Sequence, residues 1–196
     1  MNLKLLQQAG IPKNHWDCRL SEIPDTCEYK SFIVDYCNDI KNNILGAKGL
    51  YLWGDYGTGK TGLAAIIAKA ALSKGYMSLW IAAENIPGYM CEDIYFSDEV
   101  LMRDRMFSVP LLVIDDLRLR DQRNVKSDWI ERWLENVIRR RVDNTLTTLI
   151  SSNNSVHELK KLKAVYSITS EACTFLEIKG KNFRKDLVEA RRDDED

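Results

Sequence analysis

Short apolar runs alternate along most of this chain with segments whose apolar residues recur at helical spacing. The runs are LYLW (50–53), SLWIAA (78–83), LLVI (111–114), TLTTLIS (145–151) and TFLEI (174–178). They are near-continuously apolar, which suits strands covered on both faces of a parallel sheet. Between them the spacing predicts helices at about 60–74, 97–107, 127–142 and 155–163. In the segment from Ser127, the residues Trp129, Ile130, Trp133, Leu134, Val137 and Ile138 make one stripe. Asp128 and Glu131 stand in its first turn, where the helix dipole favours acids. Strands alternating with helices predict an α/β fold, five parallel strands between two helical layers.

Residues 1–45 are expected to form a short helical N-terminal extension that could dock a partner. Gly10-Ile11-Pro12 breaks an opening helix, and Phe32, Ile33, Tyr36, Cys37 and Ile40 place a second between Ser31 and Ile44. The core domain is then expected over 46–186, followed by a charged tail, 187–196.

The chemistry starts at Gly54-Asp55-Tyr56-Gly57-Thr58-Gly59-Lys60-Thr61, a full match to G-x-x-x-x-G-K-[ST] between an apolar run and a helical one. Glycines let backbone N–H groups converge on phosphate oxygens at a helix N-terminus. Lys60 supplies a positive charge to the outer phosphates and the Thr61 hydroxyl can ligate Mg²⁺. The predicted nucleotide cradle is Gly54, Asp55, Tyr56, Gly57, Thr58, Gly59, Lys60, Thr61 and Gly62, and the predicted ligands are ATP and Mg²⁺.

LLVIDD (111–116) ends an apolar run in two carboxylates. In an open α/β sheet ligands sit at the carboxyl ends of strands, so Asp115 and Asp116 are expected at the same edge as Lys60. Asp115 is read as a metal ligand beside Thr61, and Asp116 as the base that orients and deprotonates the attacking water. The next strand ends Ser151-Ser152-Asn153-Asn154, where Asn153 is placed to sense the terminal phosphate. The predicted catalytic set is Lys60, Asp116 and Asn153.

GDYGTGKT, LLVIDDL, TTLISSN and FLEIKGKNFRKD, in this order and spacing, resemble the AAA+ ATPase domain of the DnaC/IstB family of bacterial and phage helicase loaders and transposition helpers. The resemblance covers about residues 46–186. It implies a P-loop AAA+ core with five parallel strands, no separate C-terminal helical lid, and Walker A, Walker B and sensor-1 roles for Lys60/Thr61, Asp115/Asp116 and Asn153. It also implies an ATPase that loads a replicative helicase in DNA replication, contacts single-stranded DNA and forms homo-oligomers on binding ATP. The family pattern usually carries an arginine shortly before the last strand, acting on a neighbour's ATP. Here the matching position is Ile168, which predicts weak turnover by the protein alone. Arg118, Arg120, Arg139, Arg140 and Arg141 are alternative sources of that charge.

Composition narrows the partners. The chain has 196 residues, 28 Lys+Arg, 29 Asp+Glu and a net charge of −1, so any nucleic-acid contact must be local. Residues 118–141 hold eight basic and four acidic side chains. Arg118, Arg120, Arg123 and Lys126, expected in a loop, are the candidate DNA-contacting group. Residues 84–105 are acidic, so Tyr89, Tyr95 and Phe96 are read as packing or protein-contact residues. No apolar run is long enough to span a membrane, and no signal peptide is apparent. Five cysteines without a C-x-x-C pair read as reduced thiols of a cytoplasmic protein, and the resemblance implies a bacterial cell and a possible phage origin. His15-x-x-Cys18 lacks a second ligand pair for a metal.

Two other readings use the same loop. A transposition helper would share the ATPase chemistry with a transposase as partner. A small nucleotide kinase would also carry a phosphate loop, though kinases of this length usually begin with it. A non-hydrolysing binding module is the third possibility raised by Ile168.

Overall fold

A computed structural model describes residues 2–90, 97–119 and 125–180. It begins with helix α1 (Leu3–Gln8), 3-10 turns at Lys13–His15 and Leu20–Glu22, and helices α2 (Lys30–Asn38) and α3 (Ile40–Leu45). Strand β1 (Gly49–Trp53) leads into helix α4 (Lys60–Ser73) and strand β2 (Ser78–Ala82). A 3-10 turn (Ala83–Asn85), helices α5 (Ile86–Met90) and α6 (Ser97–Ser108) and strand β3 (Leu111–Leu117) follow. Helix α7 (Val125–Asp143), strand β4 (Thr147–Ser152), helices α8 (Val156–Leu159) and α9 (Lys163–Ala172) and strand β5 (Cys173–Glu177) complete the described chain.

Among the described residues the five strands form one parallel sheet in the order β2-β3-β4-β1-β5. Both faces are buried, which explains the near-continuous apolar runs. Leu50, Leu52, Leu111, Val113 and Leu149 face the layer made by residues 6–44 and α4. Tyr51, Leu112, Ile114 and Ile150, their alternating neighbours, face α5, α7 and α9. No helix among the described residues is long and apolar enough to cross a membrane, and Cys18, Cys27, Cys37 and Cys173 are free thiols.

Three local features differ from the sequence expectations. The chain from 2 to 48 folds back onto the sheet: Trp80 N–H at the open edge of β2 donates to Ala9 O over 2.7 Å, so this edge is not left bare. Strand β3 does not stop at the acids. A register shift between Ile114 and Leu117 lets the strand resume with a buried Leu117, and Asp116 takes the left-handed backbone at φ 55°. Finally, helix α9 lies beyond the helix expected at 155–163; Val165, Ile168 and Thr169 form its buried side.

Arg141, in the last turn of α7, is fully buried. Its guanidinium donates to the carbonyls of Met106 (2.6 Å), Val109 (3.0 Å) and Thr147 (2.7 Å) and to Thr148 Oγ1 (3.0 Å). Burial lowers its pKa, and these four acceptors compensate the buried charge. It ties α7 to α6, to the connection between α6 and β3 and to β4, and is withdrawn as a residue that could reach a neighbour's nucleotide.

Candidate nucleotide site

Strand β1 delivers the chain to a loop that folds only with glycine at particular places. Gly54 has φ 151°, and a side chain there would collide with the carbonyl of Ile178, whose N–H donates to Trp53 O over 2.7 Å. Gly59 caps α4 with φ 93°, a left-handed conformation that L side chains disfavour. The loop therefore turns tightly into the N-terminus of α4, which sets that end's positive dipole facing the loop.

Lys60 is 7% exposed. Its Nζ donates to Gly54 O (2.8 Å) and Asp55 O (2.6 Å) and lies 3.5 Å from Thr58 Oγ1. The ammonium is thus held inside the curl of the loop. Thr61 Oγ1 donates to Asp115 Oδ1 over 3.2 Å, and Ser151 Oγ donates to the same oxygen. Burial pushes the Asp115 carboxyl above its usual range, against the lowering effect of these two hydroxyls.

Asp116 carries a separate set of contacts. Its N–H donates to Ser151 Oγ (3.0 Å), Asn153 Nδ2 donates to its Oδ1 (3.2 Å), and Arg118 donates to its Oδ2 (2.5 Å). Strand β4 lies between β1 and β3 in the sheet, which is why its polar end stands among loop and acids. The run Ser151–Asn154 divides the work. Ser151 binds both acidic residues, Ser152 Oγ donates to Leu117 O (2.8 Å), and Asn154 Oδ1 accepts from Leu119 N–H (2.7 Å).

Lys60, Thr61, Asp115, Asp116, Arg118, Ser151, Ser152 and Asn153 line one cavity of about 790 Å³, together with Gly57, Thr58, Gly59, Gly62 and the exposed ring of Tyr56, whereas Gly54 and Asp55 of the expected cradle are not in its lining. Its second wall is the N-terminal segment: Pro12, His15, Cys18, Ile23 and Tyr29. That wall is fastened to α4 by Lys69, whose Nζ donates to the carbonyls of Trp16 (2.9 Å) and Cys18. Sequence reasoning missed the wall because irregular chain has no periodicity to read, and it missed Ser151 although the residue stands inside TTLISSN. Burial raises the Cys18 thiol pKa, and Cys18 lies 3.7 Å from His15 Nδ1. Among the described residues no three His, Cys, Asp or Glu side chains gather to hold a metal by themselves.

The donor set fits a magnesium nucleotide. Thr61 and Asp115 present two hard oxygens side by side, and Mg²⁺ typically takes one or two carboxylates and completes its shell with phosphates and water. The volume also lies within the range of small-ligand pockets.

Of the expected DNA-contacting group, Arg118 stands on the cavity rim. Arg120 and Arg123 lie outside the described residues, as do Tyr95, Phe96, Cys91 and the tail. Lys126 belongs to the first turn of α7 and not to the loop that was expected. Tyr89 packs against the core below α5. Ile168 is 4% exposed and packs under α9, so its position offers no cation.

Sheet order, phosphate loop and acid-bearing strand together make a P-loop α/β fold. No protein-family model matches the chain. Over 117 residues, 58% of the chain, it is 30% identical to the replicative helicase loader DnaI of Bacillus subtilis, and it spans about a third (35%) of that protein's length. The solved DnaC helicase loader shares its fold at TM-score 0.71 and 24% identity, covering 86% of this chain and 100% of that one. DnaI does so at 0.70 and 20%, covering 90% and 98%. A structure of the replication initiator DnaA bound to AMPPCP and single-stranded DNA matches at 0.64 and 16%, covering 88% and 52%. The chain is therefore similar to the DnaC and DnaI loaders, and the AAA+ fold expected from its motifs is the one it has.

Proposed function

We propose that this chain is an ATP-binding AAA+ ATPase that acts as a replicative helicase loader in the cytoplasm. The observation that carries the nucleotide reading is the meeting of Lys60, Thr61 and Asp115 around one cavity. The similarity to DnaI supports the loader reading. The likeness in fold to DnaA, solved with AMPPCP and single-stranded DNA bound, supports contact with both kinds of ligand.

In this reading the loop from Gly54 to Gly62 and the N-terminus of α4 hold the phosphates, and Lys60 turns from the loop carbonyls toward them. Thr61 and Asp115 would hold Mg²⁺, which would supply charge neutralisation of the phosphate oxygens. The base and sugar lie against the wall of Pro12, Ile23 and Tyr29. Asp116 accepts a proton from water as the water oxygen bonds to the γ-phosphorus and the bond to the β–γ bridging oxygen breaks; ADP and phosphate leave. Asn153 orients that water. With Ile168 in place of a cation, turnover by the protein alone is slow, and nucleotide occupancy rather than rapid hydrolysis sets its state. Homo-oligomers form on ATP binding, and the basic group beginning at Arg118 contacts single strands.

A pull-down with the host's replicative helicase, with and without ATP, tests the loader reading. Nucleotide-dependent retention of the helicase is expected. No retention in either condition, with ATP bound normally, would reject the loader and leave the ATPase.

A further inference from the structure

Two residues of β3 stand against one residue of β4 beside the nucleotide cavity. Ile114 is paired with Ile150 and Leu117 with Ser152, so Asp115 and Asp116 together face Ser151. This is a β-bulge, and Asp116 within it takes the left-handed backbone at φ 55°. Its effect falls on the acids. Successive side chains of a regular strand point to opposite faces of the sheet, yet Asp115 and Asp116 both line the cavity.

Ser151 holds this bulge in place. The residue is 1% exposed. A serine hydroxyl has one proton and two lone pairs, and Ser151 uses them on the two bulged residues. Its Oγ donates to Asp115 Oδ1 and accepts the Asp116 N–H over 3.0 Å. A bulge leaves its extra residue outside the backbone ladder, and here a side chain stands in for the missing backbone acceptor. The Asp115 oxygen so held also accepts from Thr61 Oγ1 over 3.2 Å. One hydroxyl therefore touches both the acid assigned to the metal and the acid assigned to the water.

We propose that Ser151 is a positioning residue for both acids, its hydroxyl pegging the bulge of β3 so that Asp115 is aimed at Mg²⁺ and Asp116 at the attacking water. The inference rests on the ATPase reading above. What the site needs at this position is the hydroxyl, not the filling of space.

The test compares the full chain with Ser151→Ala, which removes the hydroxyl, and Ser151→Thr, which keeps it, with thermal melting of each. Three quantities are read: affinity for ATP without divalent metal, affinity of the ATP-loaded protein for Mn²⁺ by its paramagnetic resonance signal, and kcat at saturating metal. Ser151→Ala is expected to bind metal-free ATP as wild type does, because the phosphate loop is untouched. Its Mn²⁺ affinity is expected to fall about 10- to 100-fold, the scale for losing a group that orients a metal ligand. Its kcat at saturating metal stays about 10- to 100-fold low, because Asp116 is no longer held in place. Ser151→Thr lies nearer to wild type on both counts. In nucleotide-free, metal-free protein the Asp116 N–H exchanges faster in Ser151→Ala, by more than any change in global stability accounts for.

Mn²⁺ affinity of Ser151→Ala equal to wild type overturns the peg, and so does an Asp116 N–H that exchanges at the wild-type rate. A Ser151→Thr that melts like wild type yet loses as much as Ser151→Ala overturns the role of the hydroxyl. Loss of metal-free ATP affinity in Ser151→Ala assigns the residue to the phosphate loop and overturns it as well. Wild type that binds no ATP, or binds Mn²⁺-ATP without turnover, removes the ATPase reading instead, and with it the assignment of Ser151 to the reaction.

Discussion

Thr61 Oγ1 donates to Asp115 Oδ1 over 3.2 Å, joining the first turn of α4 to the acid-bearing stretch of β3 across 54 positions of sequence. The contact brings to one point the two oxygens proposed above to hold magnesium. Its cost is visible in Asp115, whose carboxyl burial pushes above the usual range.

That cost makes a stability prediction. A raised pKa means that the folded protein holds this proton more tightly than the unfolded chain, so ionised Asp115 destabilises the fold at neutral pH. The penalty shrinks as pH falls through the raised value and is gone below the ordinary carboxylate pKa, about 3.9. Asp115→Asn keeps an oxygen for Thr61 and Ser151 but carries no charge. In nucleotide-free, magnesium-free protein its melting temperature is expected to exceed that of wild type at pH 7, with the gap closing toward pH 4. The same variant should lose most of the stabilisation that Mg-ATP confers on wild type. A lower melting temperature for Asp115→Asn at pH 7 would contradict the assignment.

Asp116→Asn should separate binding from turnover. The phosphate loop is untouched, so affinity for fluorescent ATP is expected to stay within about twofold of wild type, while hydrolysis falls at least about 10²-fold, the usual scale for removal of a general base. Radiolabelled phosphate release measures the second quantity. Retained turnover would remove Asp116 from the reaction.

The N-terminal wall should matter to nucleotide affinity although it lies far from the phosphate motif in sequence. Lys69→Met deletes the ammonium that holds the carbonyls of Trp16 and Cys18 while keeping an apolar stem. Affinity for ATP is expected to fall about three- to tenfold, with inorganic triphosphate binding nearly unchanged, because the proposed site sets the wall against base and sugar. Equal loss for both ligands would show that the segment acts on the loop itself.

Arg141→Met should be the most destabilising of these changes. Met fills much of the space, but the carbonyls of Met106, Val109 and Thr147 lose their shared donor in a dry interior. A loss of about 3 kcal/mol or more is expected, a drop of roughly 6–12 °C in melting temperature for a protein of this size. A change under about 2 °C would show that water or a neighbouring group satisfies those carbonyls.

The strands and the phosphate loop were legible because each is local: an apolar run covered on both faces, and eight residues of fixed spacing. What escaped reading depended on contacts between distant positions. The acids at 115 and 116 were expected to end their strand, yet the shifted register and the left-handed Asp116 let β3 continue to Leu117. The segment from Ala9 to Tyr29 has no period, and its place is set by Trp80 N–H, which donates to Ala9 O, and by Lys69, neither of which announces such a partner. Arg141 was readable in principle. It falls on the same helical stripe as Leu134, Val137 and Ile138, but an arginine directly after Arg139 and Arg140 reads as one more member of an exposed basic run. Helix α9 was obscured because its apolar positions follow the lysines at 160, 161 and 163, and Ile168 drew notice as a missing cation and not as a core residue.

The glycine loop, the Lys60 ammonium and the two acids are proposed to enclose one magnesium–triphosphate unit. Calorimetric titration of Mg-ATP into wild type and Lys60→Ala tests it most directly. A single site per chain is expected in wild type, weakened about 10- to 100-fold in the variant by loss of a charge-assisted contact, with both proteins melting as folded domains. Equal affinity in the two, or no binding to wild type, would contradict the account.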